Sequence, residues 1–373
     1  MDFLLSEDKT KSSSAQGTLV LEDSIMQDKK KTTAGSKILE NFVAPFDATV
    51  VERLEARDFS ILGKTQMDEF GIGRIASDRP DAVSGAVTAV AQGFSEAALC
   101  NDLFGKIRRQ ATEKGVCYIH PTYGTVSRYG LIPVASSMDQ IGVVCHDLRR
   151  GFEILSVISG HDEKDGAMFS ETSYEYQKSA EKIRIGIPDN VMRMVSEADK
   201  KPVEMFAKSF ETEHFELPYF EVYSQVMYIL SCAEISNNIN RYDGIKFGYR
   251  TENYRTLNDL YLRTRTEAFA PETKLAAIMG TMVLSKEQYI PYYEKAMKIR
   301  RLIKESLDFS KYDVIALPSW KDADPYKQNA LYALAALAGL PAISFPYQEG
   351  SIQLVANVKK ENDLFTAWEV ASR

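Results

Sequence analysis

Few side chains in this sequence stand at the spacing that a known kind of reactive site requires. The four histidines show neither HExxH nor any other metal-ligand spacing (His120, His146, His161 and His214). The sequence also lacks GxGxxG, GxxxxGKS/T and GxSxG, the patterns that bind dinucleotides, bind phosphates or present a hydrolase serine. We therefore expect no metal and no cofactor, while a catalytic triad assembled from distant residues stays open.

Two further sets of reactive groups have an ordinary structural interpretation. Cys117 could be a nucleophile, but it stands in the apolar run GVCYI, which is typical of a small buried side chain. The adjacent carboxylates Asp68 and Glu69 are more typical of a solvated helix face than of acid and base catalysis. Neither set predicts an activity.

Composition and charge exclude several classes of protein. The 373 residues are 45% hydrophobic, which is enough for a full-sized core. The net charge of −7 repels phosphate backbones, so we expect no direct contact with nucleic acid. No apolar run reaches the roughly 20 residues of a membrane span. The four cysteines are far apart and the first residues lack a signal-peptide pattern, so we expect a cytoplasmic protein without a membrane anchor.

The order of the elements predicts an α/β layer architecture. Residues 1–16 are polar and aperiodic and predict a frayed start, with order beginning near residue 17. Short apolar runs then alternate with amphipathic helices, and residues 219–308 predict a mostly helical block. The tyrosines of that block, including Tyr289, Tyr292 and Tyr293, suit either an interface or packing onto the sheet. We expect one domain over 17–373 with this block as an insertion.

Longer stretches of the sequence resemble the amidase signature family, and within it the amidotransferase A subunits. The resemblance rests on these segments: KTTAGSKILENFVAPFDATVVERLEARDFSILGKTQMDEFGIG, HPTYGTVSRYGLIPVASSMDQIG, VISGHDEKD, AEISNNINRYDGIKFGYR, YYEKAMKIRRLI and ALAGLPAISFP. It implies a single α/β/α domain on a large twisted mixed sheet. It also implies that this chain is shortened in the family's amino-terminal helical region, which puts the usual contacts with B and C subunits in doubt.

The resemblance implies where the catalytic groups of the family would stand. In that family a serine nucleophile is activated by a second serine in a cis peptide, which is linked to a lysine. The nucleophile ends a GSDTGGSIR motif, and CNDLFGKIR matches it with Asp102, Gly105 and Arg108 in register. Lys106 then occupies the nucleophile position. The motif's first paired glycine is replaced as well, by Phe104, so we expect side chains to fill the pocket.

The other two catalytic groups of the family are also replaced. The second serine lies in a GGSSGGS segment, whose counterpart PDAVSGA places Ala82 and Val83 at its two adjacent serines. The lysine lies in GIPIAIKDNI, whose counterpart GTLVLEDSI is one residue shorter and places Glu22 at the lysine position. No catalytic residue of the family type is therefore expected. The exchange of charges predicts an ion pair between Lys106 and Glu22, unless Lys106 points to solvent.

The substrate-binding groups of the family are only partly retained. The arginine that would hold the substrate carboxylate falls at Leu275 or Ala276 in KLAAIMG, and an expected aspartate aligns with Asn329. Tyr228 is retained. The candidate binding residues implied by the resemblance are these four: Tyr228, Asn329, Asp102 and Arg108.

Three functions fit these replacements. The leading hypothesis is a catalytically inactive paralogue of the amidotransferase A subunit that serves as a scaffold, with a B- or C-like subunit or a second copy as partner. The alternative is an amidase or amidotransferase subunit with a rebuilt site acting on glutamine or another small amide, for which Lys106, Glu22, Asp102 or Cys117 would supply the chemistry. The third is a pocket that binds a small amide or amino acid without turnover.

Overall fold

Residues 2–7, 16–75, 82–178, 182–320 and 325–372 are described by the structure, a computed structural model. The strands in these ranges are β1 (Leu4–Glu7), β2 (Gly17–Glu22), β3 (Phe59–Thr65), β4 (Ala97–Asn101), β5 (Cys117–His120), β6 (Ile141–Cys145), β7 (Arg184–Pro188), β8 (Glu211–Phe215), β9 (Val314–Pro318), β10 (Ala342–Tyr347) and β11 (Gly350–Ala356). The α-helices are α1 (Thr49–Glu55), α2 (Gly85–Ala91), α3 (Lys106–Glu113), α4 (Leu148–Ile158), α5 (Asp189–Met194), α6 (Glu197–Ala207), α7 (Tyr223–Asn238), α8 (Leu257–Ala268), α9 (Pro271–Leu284), α10 (Lys295–Glu305), α11 (Pro325–Ala338) and α12 (Glu361–Ala371).

The strands form one mixed sheet in the order β1-β3-β2-β4-β6-β5-β10-β11-β9-β7-β8. Strand β2 runs parallel to both β3 and β4, whereas β4, β6, β5, β10, β11 and β9 are joined by antiparallel pairs. Parallel neighbours bring their carboxyl ends to the same edge of a sheet. The residues that follow β2, β3 and β4 therefore meet at one edge.

Helices cover both faces of the sheet, because successive side chains of a strand point to opposite faces. In β4, Leu99 packs into a core with α1, α4, α6 and α12, while Ala98 and Cys100 pack against α2 and α3 on the other face. Farther along, Val355 of β11 packs on the second face against α7, α9 and α11. The predicted α/β/α architecture on a large mixed sheet is confirmed.

The block from 219 to 308 is built mainly of helices α7 to α10. Helix α7 is buried on most of its surface, and its closest partner is α9. Gly280 of α9 permits this packing, because a Cβ there would lie 2.0 Å from the Cys232 carbonyl oxygen of α7. A π-helical stretch, Tyr289–Glu294, leads into α10.

The expectation of a frayed start is wrong for residues 4–7, which form the edge strand β1. This strand pairs antiparallel with β3, and Leu4 lies opposite Thr65. Phe3 is buried against Phe94, with ring centroids 5.5 Å apart. Backbone hydrogen bonds and one buried apolar side chain are enough to hold a polar edge strand in place. The composition of the segment does not reveal these contacts. Residues 8–15 of the same prediction lie outside the described residues.

A search of the described residues for a bilayer-spanning helix found none with the required length and hydropathy. The four cysteines are all buried and unbridged.

Candidate active site

The candidate site forms where the chain leaves β2, β3 and β4 at the common edge of the sheet. Glu22 is the last residue of β2, Asp68 lies three residues beyond β3, and Asp102 directly follows β4. Helix α3 begins beside them with Lys106. These four side chains line one cavity of about 10 Å³, which is about the space that a single water molecule requires.

The loop that begins α3 is fixed by Asp102 and Gly105. The Asp102 carboxylate accepts hydrogen bonds from the backbone N–H groups of Ile107 (3.0 Å) and Arg108 (3.1 Å) and from Arg108 Nε (2.8 Å). Gly105 adopts a left-handed φ of 79°, and a Cβ there would lie 2.1 Å from Tyr332 Cβ. Asp102 and Arg108, two of the predicted binding residues, thus bind each other in a fully buried pair that holds the start of the helix.

Glu22 is a buried carboxyl group beside the start of α3. Its Oε2 accepts hydrogen bonds from the Asn101 N–H at 3.0 Å and from Ser24 Oγ at 2.9 Å. Loss of hydration raises its pKa from 4.5 to about 7, although those two bonds and the charge of Lys106 oppose the shift. At neutral pH this group exists in both its protonated and its ionised forms.

Lys106 forms its ion pair with Asp68. The predicted Lys106–Glu22 pair is therefore wrong, and so is the alternative of a lysine pointing into solvent, because the Lys106 side chain is only 13% exposed. The physical reason is that the Glu22 carboxylate is more deeply buried than the Asp68 carboxylate. Asp68 keeps 20% of its side chain exposed and stays partly hydrated, whereas Glu22 is buried and held by neutral donors.

The interpretation of Asp68 and Glu69 as solvated carboxylates is wrong for Glu69, whereas Asp68 stays partly hydrated. Glu69 accepts hydrogen bonds from the hydroxyls of Ser36 and Thr273 and from the Ala270 N–H. Burial raises the pKa of Glu69, and these bonds oppose the rise. The carboxylate thereby ties the loop after β3 to the start of α9.

Sequence reasoning missed Lys64, a buried lysine in β3. Its Nζ lies 3.2 Å from Asp23 Oδ1 and donates to the Lys31 carbonyl oxygen at 3.0 Å and to Thr32 Oγ1 at 2.6 Å. Desolvation lowers its pKa to about 8, while Asp23 raises it. An ammonium group has three protons, and these three acceptors use all of them. The signal in the sequence was a single cation inside the apolar strand FSILGKT.

Two of the predicted binding residues, Tyr228 and Asn329, are brought together. Asn329 Nδ2 donates to the Tyr228 hydroxyl at 2.6 Å. The Tyr228 ring is stacked between Phe104, at a centroid distance of 5.1 Å, and Tyr326, at 5.2 Å. Phe104 therefore covers one face of this tyrosine.

The remaining predicted positions lie apart from the cavity. Ala82 is exposed, and its carbonyl oxygen accepts a hydrogen bond from Gln110 Nε2 at 3.0 Å. Leu275 and Ala276 lie in α9 and carry no group that could hold a carboxylate. Cys117 lies in β5, where burial raises the pKa of its thiol to about 12, and its Sγ is 3.7 Å from the His146 carbonyl oxygen.

The arrangement offers one buried carboxyl group, whose pKa burial raises to about 7, and one lysine in a close ion pair. In the ranges that the structure describes, no three or more His, Cys, Asp and Glu side chains form a group that could hold a metal ion.

Comparisons with known proteins agree on one family. A family model described as Amidase matches residues 18–80 and 83–365. The chain is 38% identical over 367 residues to the glutamyl-tRNA(Gln) amidotransferase A subunit of Lachnoclostridium phytofermentans, a match that covers 88% of this chain and 74% of that protein. It is 37% identical over 386 residues to the corresponding A subunit of Acinetobacter baumannii, covering 90% and 78%.

Solved structures share the fold. The crystal structure of the glutamyl-tRNA(Gln) amidotransferase A subunit from Thermotoga maritima matches with a TM-score of 0.77 and 27% identity, over 98% of this chain and 85% of that chain. A peptide amidase from Stenotrophomonas maltophilia has the same fold at 21% identity, with a TM-score of 0.77 over 96% and 82% of the two chains.

Proposed function

The chain belongs to the amidase signature family, and from that premise we propose that it is a catalytically inactive paralogue of the glutamyl-tRNA(Gln) amidotransferase A subunit that serves as a scaffold or binding subunit. The observation that carries this proposal is the ion pair between Lys106 and Asp68. The sequence resemblance assigns Lys106 to the position of the nucleophile, and its side chain is held by the carboxylate of Asp68. A lysine held in an ion pair is not available to attack an amide.

The other replaced positions support the same proposal. Glu22 stands at the lysine position, and a carboxyl group cannot take over the role of a lysine that relays protons through a serine when neither serine is present. Ala82 and Val83 stand at the two adjacent serine positions and carry no hydroxyl. Removing even one member of a catalytic group that acts as a unit typically costs several orders of magnitude in rate.

A scaffold requires a surface for its partner, and helix α9 with the adjoining π-helical stretch offers one. We call this the α9–π surface and define it by exposed apolar side chains: Ile278, Met282, Tyr289, Ile290 and Tyr292. Ile278 and Ile290 are 67% and 66% exposed, which is unusual for isoleucine. Tyr293 packs inward against the core, whereas Tyr289 and Tyr292 are exposed.

Two measurements test the proposal. Purified protein, alone and mixed with amidotransferase B and C subunits, should release no ammonia from glutamine or asparagine above a heat-inactivated control. Analytical ultracentrifugation should detect association with those subunits or with a second copy, and Ile278→Glu with Ile290→Glu should weaken it. Met194→Glu is the matched control, because Met194 is an exposed methionine on α5 outside that surface.

The outcomes separate the parts of the proposal. Ammonia release by the natural protein that is lost in the Glu22→Gln variant would contradict the proposal that the chain is catalytically inactive. A strictly monomeric protein that associates with neither subunit would overturn the scaffold.

One observation favours the second candidate function, an amide-hydrolysing or amidotransferring subunit with a rebuilt site. Glu22 has a pKa of about 7 and shares its cavity with Lys106, so it could act as a general base near neutral pH. The cavity of about 10 Å³ admits no amide substrate unless the Asp68 loop moves. Turnover of a small amide that depends on Glu22 and Lys106 together would establish this function.

A further inference from the structure

A cluster of buried polar side chains lies between helix α3 and the middle of the sheet. Arg108 of α3 is fully buried; its Nε donates to Asp102 at 2.8 Å and its Nη1 donates to Gln353 Oε1 at 3.2 Å. Among the described residues, Arg108 Nη2 has no hydrogen-bond partner, and neither has the hydroxyl of Ser344 in β10. Ser344 is only 1% exposed. Two polar groups that solvent does not reach are thus left over in this cluster.

Strand pairing places Ser344 next to the Arg108 guanidinium. Ser344 lies between Tyr118 of β5 and Gln353 of β11, its opposite residues in two antiparallel pairs. Residues that lie directly opposite in antiparallel strands point to the same face of the sheet. Arg108 bonds to Gln353 on one side of Ser344. On the other side its charge acts on Tyr118, where it opposes the rise that burial causes in the pKa of that tyrosine. The guanidinium therefore lies over the row that contains Ser344.

The free energy of leaving both groups without a partner is unfavourable. A buried donor or acceptor that gains no partner loses its hydration without compensation, and the loss is larger when the group is charged. An ordered water molecule that bridges two such groups is nearly as good as a direct hydrogen bond. Buried waters of this kind are a regular part of folded proteins.

The charges of the cluster call for a neutral ligand. Asp102 Oδ2 lies 2.8 Å from Arg108 Nε and neutralises the guanidinium. Burial, together with the charge of Arg108, lowers the pKa of His120 well below its usual range, so this neighbouring imidazole is uncharged. No excess charge is left for an ion to balance.

We propose that one ordered water molecule is bound between Arg108 Nη2 and Ser344 Oγ. Water suits this place because a guanidinium can only donate, whereas a hydroxyl can donate or accept, and water does both. The site secures more than the two side chains. Asp102, which Arg108 holds, accepts the N–H groups of Ile107 and Arg108 at the start of α3, where Lys106 lies.

A crystal structure of the full chain at about 1.5 Å resolution tests the site directly. An oxygen peak is expected about 2.7–3.2 Å from both Arg108 Nη2 and Ser344 Oγ. A direct bond between these two atoms, or a closed contact without a peak, would overturn the proposal. Crystals grown with sodium bromide distinguish water from an anion, since an anomalous bromide peak at this place would overturn the neutral ligand.

The variants Ser344→Thr and Ser344→Val test the site in solution. The two side chains have the same shape and differ by one hydroxyl, so any strain from the added carbon is common to both. If the hydroxyl binds water, the valine variant should melt at a temperature lower by about 2 °C or more, measured by circular dichroism. An equal or higher melting temperature of the valine variant would contradict the site, because removing a buried hydroxyl that has no partner is favourable.

The matched control is Thr212→Val, which makes the same exchange of hydroxyl for methyl at an exposed position of the edge strand β8. It should change the melting temperature by no more than about 1 °C. A change as large as that between the two Ser344 variants would show that the difference at Ser344 does not report on a buried water. None of these measurements depends on amide hydrolysis or on a partner, so the site and the proposed function fail separately.

Discussion

Asp23 and Lys64 form a buried ion pair in which Oδ1 and Nζ are 3.2 Å apart. Asp23 directly follows β2, and Lys64 lies in the parallel strand β3, so the pair joins two strands of the sheet edge. Asp23 also accepts a hydrogen bond from the Thr33 N–H at 2.9 Å. Through these contacts the turn that contains Lys31, Thr32 and Thr33 is attached to the strand that ends in Glu22.

Removing the Lys64 ammonium group should destabilise the protein strongly. Lys64→Met leaves the Asp23 carboxylate buried without its cation, which typically costs about 3–5 kcal/mol. The double change Lys64→Met with Asp23→Asn should lie closer to the natural protein, because a neutral amide oxygen still accepts the Thr33 N–H. Urea denaturation of both variants measures this difference. Lys201→Met is the exposed control, and a double variant less stable than the single one would contradict the ion-pair account.

Glu22 should give the free energy of unfolding a pH dependence. Burial raises the pKa of its carboxyl group from 4.5 to about 7, so the folded protein binds a proton that the unfolded chain has released between those values. The stability that Glu22 contributes is present below pH 4.5 and is lost as the pH rises through about 7. Relative to Glu22→Gln, the natural protein should lose about 3 kcal/mol across that window. Urea denaturation at several pH values checks this, and parallel profiles for the two proteins would contradict it.

The fold was predictable from the sequence because its signals are local. Alternating apolar runs and amphipathic helices imply covered strands, and a strand such as β4 sends successive side chains into two different cores. The edge strand β1 was not predictable in this way. Its stability comes from pairing with β3, and that pairing depends on residues about 60 positions later in the chain.

The side-chain contacts of the candidate site were only partly predictable. The motif that identifies α3 locates Lys106, but its partner Asp68 is 38 residues away and reaches it only because β3 and β4 end at the same sheet edge. Lys64 was missed for a related reason. A lysine in a strand is normally assigned to a solvated face, and here three acceptors from another loop allow its burial.

A serine introduced at position 106 alone should not produce amide hydrolysis. Lys106→Ser breaks an ion pair whose side chains are only 13% and 20% exposed. Its cost in stability should therefore lie between the roughly 1 kcal/mol of an exposed pair and the about 3–5 kcal/mol of a fully buried one. In the proposed correspondence Ala82 takes one serine position and Glu22 the lysine position, so the new hydroxyl would still lack a base linked through a second serine. Mass spectrometry after treatment with a fluorophosphonate should detect no adduct at position 106. Stoichiometric labelling would instead indicate that Glu22 can activate the serine.

Phe104 should close the space above Tyr228, and its removal should reopen it. The two rings are stacked with centroids 5.1 Å apart, and both are almost fully buried. Phe104→Ala should lower the free energy of unfolding by about 3–5 kcal/mol, as expected for a buried aromatic ring. It would also leave a cavity next to the Tyr228 hydroxyl and the Asn329 amide, which are hydrogen-bonded to each other at 2.6 Å.

Glutamine should then raise the melting temperature of the Phe104→Ala variant and not that of the natural protein, because only the variant has room for it. Phe94→Ala is the control, since Phe94 packs against Phe3 in a different hydrophobic cluster from that of Phe104. An equal glutamine-dependent shift in the natural protein would show that Phe104 does not close the site.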